Sequence, residues 1–206
     1  MDKIILRDGI PDDSSLADYL IYSTGSYFFD YLFPYDKDIT FKTIRMLFRK
    51  DKGIFSHRFA TIAEEDGDVL GLELGYSLRE KRYHSFFNTL YIIRQHNLIQ
   101  IFKMIFRDYN ISKFLKRLKP NSYYIANLSV HPSAQGRGIG GKLLENAFTK
   151  AKSRSYQHCY LDVSIHNKNA IKLYNKYGFK IFKEVRNINL ETKYKLHGQL
   201  RMIKKL

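Results

Sequence analysis

A single cysteine (Cys159), no tryptophan and only 4 prolines stand out first in this 206-residue chain. One thiol excludes an intramolecular disulfide framework and a cysteine-built zinc site, and it fits a reducing, cytoplasmic compartment. No stretch approaches about 18 consecutive apolar residues, so no transmembrane helix is expected. The opening segment, MDKIILRDGIPDD, lacks an apolar core followed by a small-residue cleavage site, which argues against a signal peptide. Acidic residues are scarce: 20 Asp and Glu face 35 Lys and Arg, giving +15. Such a field attracts anions, whether nucleic acid, acidic membrane, phosphorylated ligands or acidic proteins. Compositional drift toward Lys, Ile, Asn, Tyr and Phe explains the same number, so charge alone names no function. What is plentiful is aromatic: 16 Tyr and 15 Phe do not describe a disordered chain. The length suits one domain able to bury roughly 70% of its unfolded surface.

Ile4 to Arg7 reads as a first strand, and Asp12 to Ser15 offers capping chemistry for a helix with Leu16, Tyr19 and Leu20 on one face. Gly25 and Pro34 bracket an aromatic segment, Tyr27 to Phe33, and a second helix is expected over Ile39 to Phe48. Phe59–Glu64 and Val69–Tyr76 read as a hairpin around Asp66-Gly67. From Arg79 to Lys119 the periodicity is helical, with Leu98, Ile101, Phe102, Ile105, Phe106 and Tyr109 on one stripe. Strands follow at Tyr123–Val130, Cys159–Ser164, Phe179–Val185 and Leu200–Leu206, with helices after the first two and Gly178 placed to end the second. The expected class is α/β (α+β): a mixed sheet covered by helices, in one domain over 1–206.

The most informative segment runs from Val130 through His131, Pro132, Gln135, Gly136, Arg137, Gly138, Ile139, Gly140, Gly141 and Lys142. A strand ends, four glycines come within six residues, and an amphipathic helix begins. Glycines let a backbone approach a ligand closely, and the free N–H groups of a helix's first turn favour phosphate. Arg137 and Lys142 add possible charge-assisted contacts. Gly136, Gly138 and Gly141 also match a dinucleotide-binding loop, with Asp162 at about the right distance, although this loop lies late in the chain. A Walker loop is disfavoured, because Leu143 stands where Ser or Thr would hold magnesium.

Two signatures in order then resemble the GNAT superfamily of acyl-CoA-dependent N-acyltransferases. One is Gln135-Gly136-Arg137-Gly138-Ile139-Gly140 behind Val130-x-Pro132. The other is Asn167-x-x-Ala170-x-x-x-Tyr174-x-x-x-Gly178-Phe179. Together they cover about residues 123–186. The resemblance implies a mostly antiparallel sheet of about 6–7 strands, splayed at the cofactor strand and carrying a helical insert. It implies acetyl-CoA as co-substrate, its pyrophosphate on the N–H groups from Gln135 to Gly141 and its pantetheine along Leu128 and Val130. Asn167 would bond the cofactor arm, and Tyr174 would act as general acid to the leaving thiolate. The implied reaction is acetyl transfer to a primary amine by direct attack through a tetrahedral intermediate, with no metal. A backbone N–H near Val130 would polarise the carbonyl.

A lysine-like amine is neutral in only about one molecule in a few thousand at pH 7, so a base or a proton-removing water chain is needed. Asp162 and Glu73 are the candidate carboxylates. Glu73 faces away from Leu72 and Leu74, and an ordinary solvated strand residue is its plain reading. His131, beside Pro132, reads as a loop residue. The acceptor stays open among polyamine, aminoglycoside, peptide N-terminus and protein lysine, with Glu73, Asp30 or Asp36 as sources of an acidic pocket. The insert at 79–119 carries ten Lys and Arg against two acids, interleaved with aromatics. It reads as a packed helical pair, a lid over the acceptor pocket, or a docking surface for nucleic acid or an acidic partner. The last is the rival to an enzyme: a binding module on the same fold. A homodimer is compatible with all of these.

Overall fold

The hairpin is set by its turn. Asp66 and Gly67 both take positive φ (49° and 92°), the left-handed pair that matches the twist of two antiparallel strands. The computed structural model describes residues 4–33, 36–112 and 119–206, with side chains for all of these but 108–112. Of the residues read above, Pro34, Lys113, Phe114, Lys116 and Arg117, and the side chains of Asp108 and Tyr109, lie outside that description. In chain order the elements are β1 (Ile5–Asp8), α1 (Ser14–Ser23), α2 (Ser26–Leu32), α3 (Lys37–Phe48), β2 (Ala60–Glu65), β3 (Asp68–Ser77), α4 (Leu78–Ile93) and α5 (Leu98–Ser112). Then come β4 (Ser122–Val130), α6 (Ile139–Ser153), β5 (His158–Ser164), α7 (Lys168–Lys176), β6 (Lys180–Val185), α8 (Ile188–Tyr194) and β7 (Gln199–Lys205).

The strands form one sheet in the order β1-β2-β3-β4-β5-β7-β6. Every neighbouring pair is antiparallel except β4 and β5, which run parallel. Strand alternation gives the sheet two different faces. Leu72, Leu74, Tyr124 and Tyr160 turn to one face, where α1, α2 and α3 bury Leu20, Ile21, Phe29, Ile44 and Phe48. Tyr123, Ile125, Leu161 and Val163 turn to the other, where α6 contributes Leu144, Ala147 and Ala151 and α7 contributes Tyr174. No described helix is long and apolar enough to cross a membrane.

Four local expectations are corrected. In α1 the buried stripe is Ala17, Leu20 and Ile21, while Tyr19 is exposed and leans on the His131 ring. Asp13 does not cap that helix with its side chain, because both its oxygens are taken by Arg7. The aromatic segment after Gly25 is itself a helix, α2, from which Phe29 reaches the core, with Phe33 buried at its C-cap. In α5 the buried residue among the described side chains is Met104, outside the expected stripe; Leu98, Phe102 and Phe106 of that stripe are exposed, while its Ile101 and Ile105 line the cavity beside Met104. A short helix not expected from the sequence, α8, starts where the Asn187 side chain accepts from the Leu190 N–H.

Candidate active site

Parallel pairing between β4 and β5 covers only Ser122–Ile125 against His158–Leu161. Just beyond, β4 carries a bulge: Gly75 pairs with Ile125 and Leu74 with Asn127, so Ala126 is the extra residue. From there β5 continues along β7 to Ser164, and β4 continues along β3 to Val130. Between them a gap opens in the middle of the sheet. Among the described residues, the β5-facing edge of Ala126–Val130, which includes Leu128 and Val130, has no strand partner.

The glycine loop closes one end of this gap. The carboxamide N–H of Gln135 donates to the Val130 carbonyl (3.2 Å), tying the loop to the end of β4. Gly136 and Gly138 take φ of 81° and 78°, a region that costs an L side chain about 1–2 kcal/mol. Gly138 caps α6 in this conformation, and its carbonyl accepts from Gly141 and Lys142. Among the described residues, no backbone carbonyl accepts from the N–H groups of Gly136, Gly138, Ile139 or Gly140. A cluster of N–H groups at the positive end of a helix is a built anion cradle. A Cβ at Gly141 would lie 2.1 Å from the Tyr177 hydroxyl, so glycine there lets α7 approach α6 closely. The Arg137 guanidinium is placed differently from the expectation. It forms a bidentate pair with Glu65 of the hairpin (3.0 and 2.7 Å), which turns its charge toward the hairpin.

On the opposite wall of the gap, Asn167 caps α7, its Oδ1 accepting from the Ala170 N–H at 3.1 Å. Its NH₂ group is what remains for a ligand. Tyr174, one helical face further on, is buried against Phe179, and burial pushes its hydroxyl up to about 12. Such a phenol holds its proton throughout the neutral range.

The two candidate carboxylates lie on different faces of the sheet. Asp162 accepts from Arg201 Nε and Nη2 and from the Tyr124 hydroxyl, all at 2.9 Å. Glu73 is fully buried under α6 and is not a solvated strand residue. It accepts from Tyr123 (3.2 Å) and Thr61 (3.3 Å), and burial pushes its carboxyl up to about 7. His131 caps the one-turn helix at Pro132–Ala134, as a loop residue would.

A cavity of about 850 Å³ opens on the Asp162 face. Ala126, Asn127, Asp162 and Ser164 bring it up to the gap, and Arg201 lies in its wall. Its body is largely apolar, with Phe29 from α2, Phe33 at that helix's end, Ile92 from α4 and Met104 from α5. The insert thus walls the cavity. Glu73, Asp30 and Asp36 do not line it, so they supply no acidic pocket there. Arg201 and Tyr124 escape a sequence reading. Arg201, an arginine between Leu200 and Met202 in an apolar strand, is itself the local signal of a buried ion pair.

A family model described as the acetyltransferase (GNAT) family matches residues 24–179. An uncharacterised N-acetyltransferase of Methanocaldococcus jannaschii is 35% identical over 82 residues. That match takes in 40% of this chain and only 31% of the relative. Among solved structures, an N-acetyltransferase from Staphylococcus aureus Mu50 superposes with a TM-score of 0.70 at 20% identity, covering 97% of this chain and 100% of that one. A GNAT family acetyltransferase from Elizabethkingia anophelis, whose structure has acetyl-CoA bound, gives 0.55 at 16% identity with both chains fully covered. These likenesses establish the same fold.

Proposed function

The chain belongs to the acetyltransferase (GNAT) family, and we propose that it transfers an acetyl group from acetyl-CoA to a primary amine. Acetyl-CoA, as co-substrate, supplies the activated thioester. The reading rests on one observation: the unpaired edge of β4 from Ala126 to Val130 opens beside a loop whose N–H groups have no backbone acceptor among the described residues. A pyrophosphate fits the N–H groups of Gly136, Gly138, Ile139 and Gly140, and an amide-bearing arm fits the strand edge at Leu128 and Val130. The Asn167 NH₂ bonds that arm.

In the proposed reaction the amine attacks the acetyl carbon directly, and a backbone N–H near Val130 steadies the developing oxyanion. Tyr174 gives its proton to the departing sulfur, a role its burial supports by keeping the phenol protonated. The acceptor amine loses its own proton most easily inside the cavity, where an apolar surround disfavours the ammonium form. Asp162 already accepts three hydrogen bonds and serves to fix Arg201. Glu73 sits across the sheet from the cavity. Water in the open gap is therefore the favoured carrier of the amine proton, ahead of either carboxylate.

The test is the thermal midpoint with acetyl-CoA, ATP and NAD at matched concentration. Ligand at about 100 times Kd adds roughly 2.7 kcal/mol. A rise with acetyl-CoA alone supports the reading; an equal rise with all three, or none, overturns it.

A further inference from the structure

Granting that the protein is an acetyltransferase, we infer that its acceptor is a small molecule with one primary amine on an aromatic or branched apolar body. The cavity's size, about 850 Å³, falls within the range of pockets that enclose a drug-sized ligand. It is far more than a lone aminoalkyl chain needs, so a thin chain would leave apolar wall in contact with water.

The lining decides the chemistry. Phe29, Phe33, Phe55 and Tyr76 present rings, and Ile92 and Met104 complete the wall between the sheet and the insert. Aromatic surfaces of this kind favour another ring by tilted or offset contact, and methionine adapts to its outline. Where the cavity meets the gap the polar groups are Asn127, Asp162, Ser164 and Arg201; α4 adds Ser85, Asn88 and Thr89, which are neutral, beside the apolar wall. The amine belongs at that end, within reach of the thioester, and the apolar body belongs at the helical end.

Charge excludes the competing acceptors. Asp162 is the carboxylate in the cavity wall, and it is held by the Arg201 guanidinium. Lys81 also lines the cavity, with its ammonium 5.4 Å from the centre of the Tyr124 ring. Beyond the Asp162–Arg201 pair, the wall thus carries Lys81 and no further carboxylate among the described residues. A polyamine or aminoglycoside would bring additional ammonium groups with no second carboxylate among the described lining residues to pair them, inside a protein of +15. A monoamine carries one ammonium, which it must lose to react.

The experiment compares 2-phenylethylamine, ethylamine, spermidine and a hexapeptide with a free N-terminus. Thiol release from acetyl-CoA gives kcat/KM for each, and calorimetry on the protein with and without CoA gives binding of the same four. The expected result is kcat/KM for 2-phenylethylamine at least tenfold above each of the others, with binding in the same order. Met104→Trp fills the apolar end. It should raise KM for 2-phenylethylamine at least tenfold and leave the stabilisation by acetyl-CoA unchanged; Ile92→Trp provides the same filling from α4. Equal or better use of spermidine or the peptide overturns the inference while the acetyltransferase reading stands. An unchanged KM in both filled variants also overturns it. If acetyl-CoA neither stabilises the protein nor turns over, the enzymatic reading fails. Calorimetry then still decides the cavity, because selective binding of 2-phenylethylamine supports its chemistry and its absence refutes it.

Discussion

Replacing Glu73 by Gln separates a buried carboxyl from a catalytic base. The side chain is fully buried and held by Tyr123 and Thr61, with the Lys150 ammonium donating to the same Thr61 hydroxyl at 2.9 Å. Burial raises its carboxyl from an ordinary 4.5 to about 7, against the opposing pull of Lys150 and the two hydroxyls. The folded protein therefore keeps this proton to a higher pH than the unfolded chain does. Between about pH 4.5 and 7 the native state binds more protons, so its stability falls as pH rises and levels off above 7. A tenfold difference in proton affinity corresponds to about 1.4 kcal/mol, so the full penalty at pH 8 is on the order of 3 kcal/mol. Gln carries no charge to desolvate, and its amide oxygen still accepts from a hydroxyl. Glu73→Gln should thus unfold at higher urea than the parent at pH 8, equivalent to roughly 6–12 °C in Tm for a chain of this size. At pH 4.5 the two should coincide. Other titrating groups are common to both proteins and cancel in the difference. Parallel stability profiles from pH 4.5 to 8 would refute the burial argument. The same variant tests the base: kcat should stay within about threefold, whereas a loss of about 100-fold or more would return Glu73 to the reaction.

Three further outcomes follow from the site. Tyr174→Phe should lower kcat at least about tenfold with the Kd of acetyl-CoA unchanged, read by steady-state kinetics and calorimetry; unchanged kcat removes the proton-donor role. Gly138→Ala meets no atom within 4 Å, so its cost is the left-handed backbone alone: about 1–2 kcal/mol of stability together with weaker stabilisation by acetyl-CoA. Arg201→Met leaves Asp162 buried without its guanidinium and should cost about 3–5 kcal/mol in urea denaturation; the double variant with Asp162→Leu should recover most of that loss, and no recovery would mean the pair is not the cause.

What the sequence revealed and what it hid divide along a physical line. Signals confined to a few consecutive residues were readable. Asp66-Gly67 needs positive φ, and Gly178 ends α7 at φ 84°. The glycine loop and the positions of the last four strands along the chain belong to the same class. Residues whose setting depends on distant partners were not. Glu73 looks like any strand glutamate until β4 brings Tyr123 across from it and α6 covers the face. Asp162 looks like a candidate base until Arg201, 39 residues later, takes both its oxygens. The stripe on α5 was periodic enough to announce a helix, yet periodicity does not say which arc is covered. Met104 faces the cavity, and Phe102 and Phe106 face outward.

The bulge at Ala126 ties these pieces into one device. A regular β4 would alternate its side chains strictly between the faces and keep its hydrogen bonds to β5. With one extra residue, Ala126 and Asn127 both reach the cavity, and the strand leaves β5 within the same step. The α6 and α7 face then holds the glycine loop's N–H groups and Tyr174, while the opposite face holds the apolar cavity, whose wall reaches the gap at Ala126 and Asn127. Donor and acceptor need not compete for one surface. On the proposed reading, the helical insert can therefore reshape the acceptor wall without touching the glycine loop. That arrangement accounts for why the family's two signatures are plain in the sequence while the proposed acceptor is argued from the cavity.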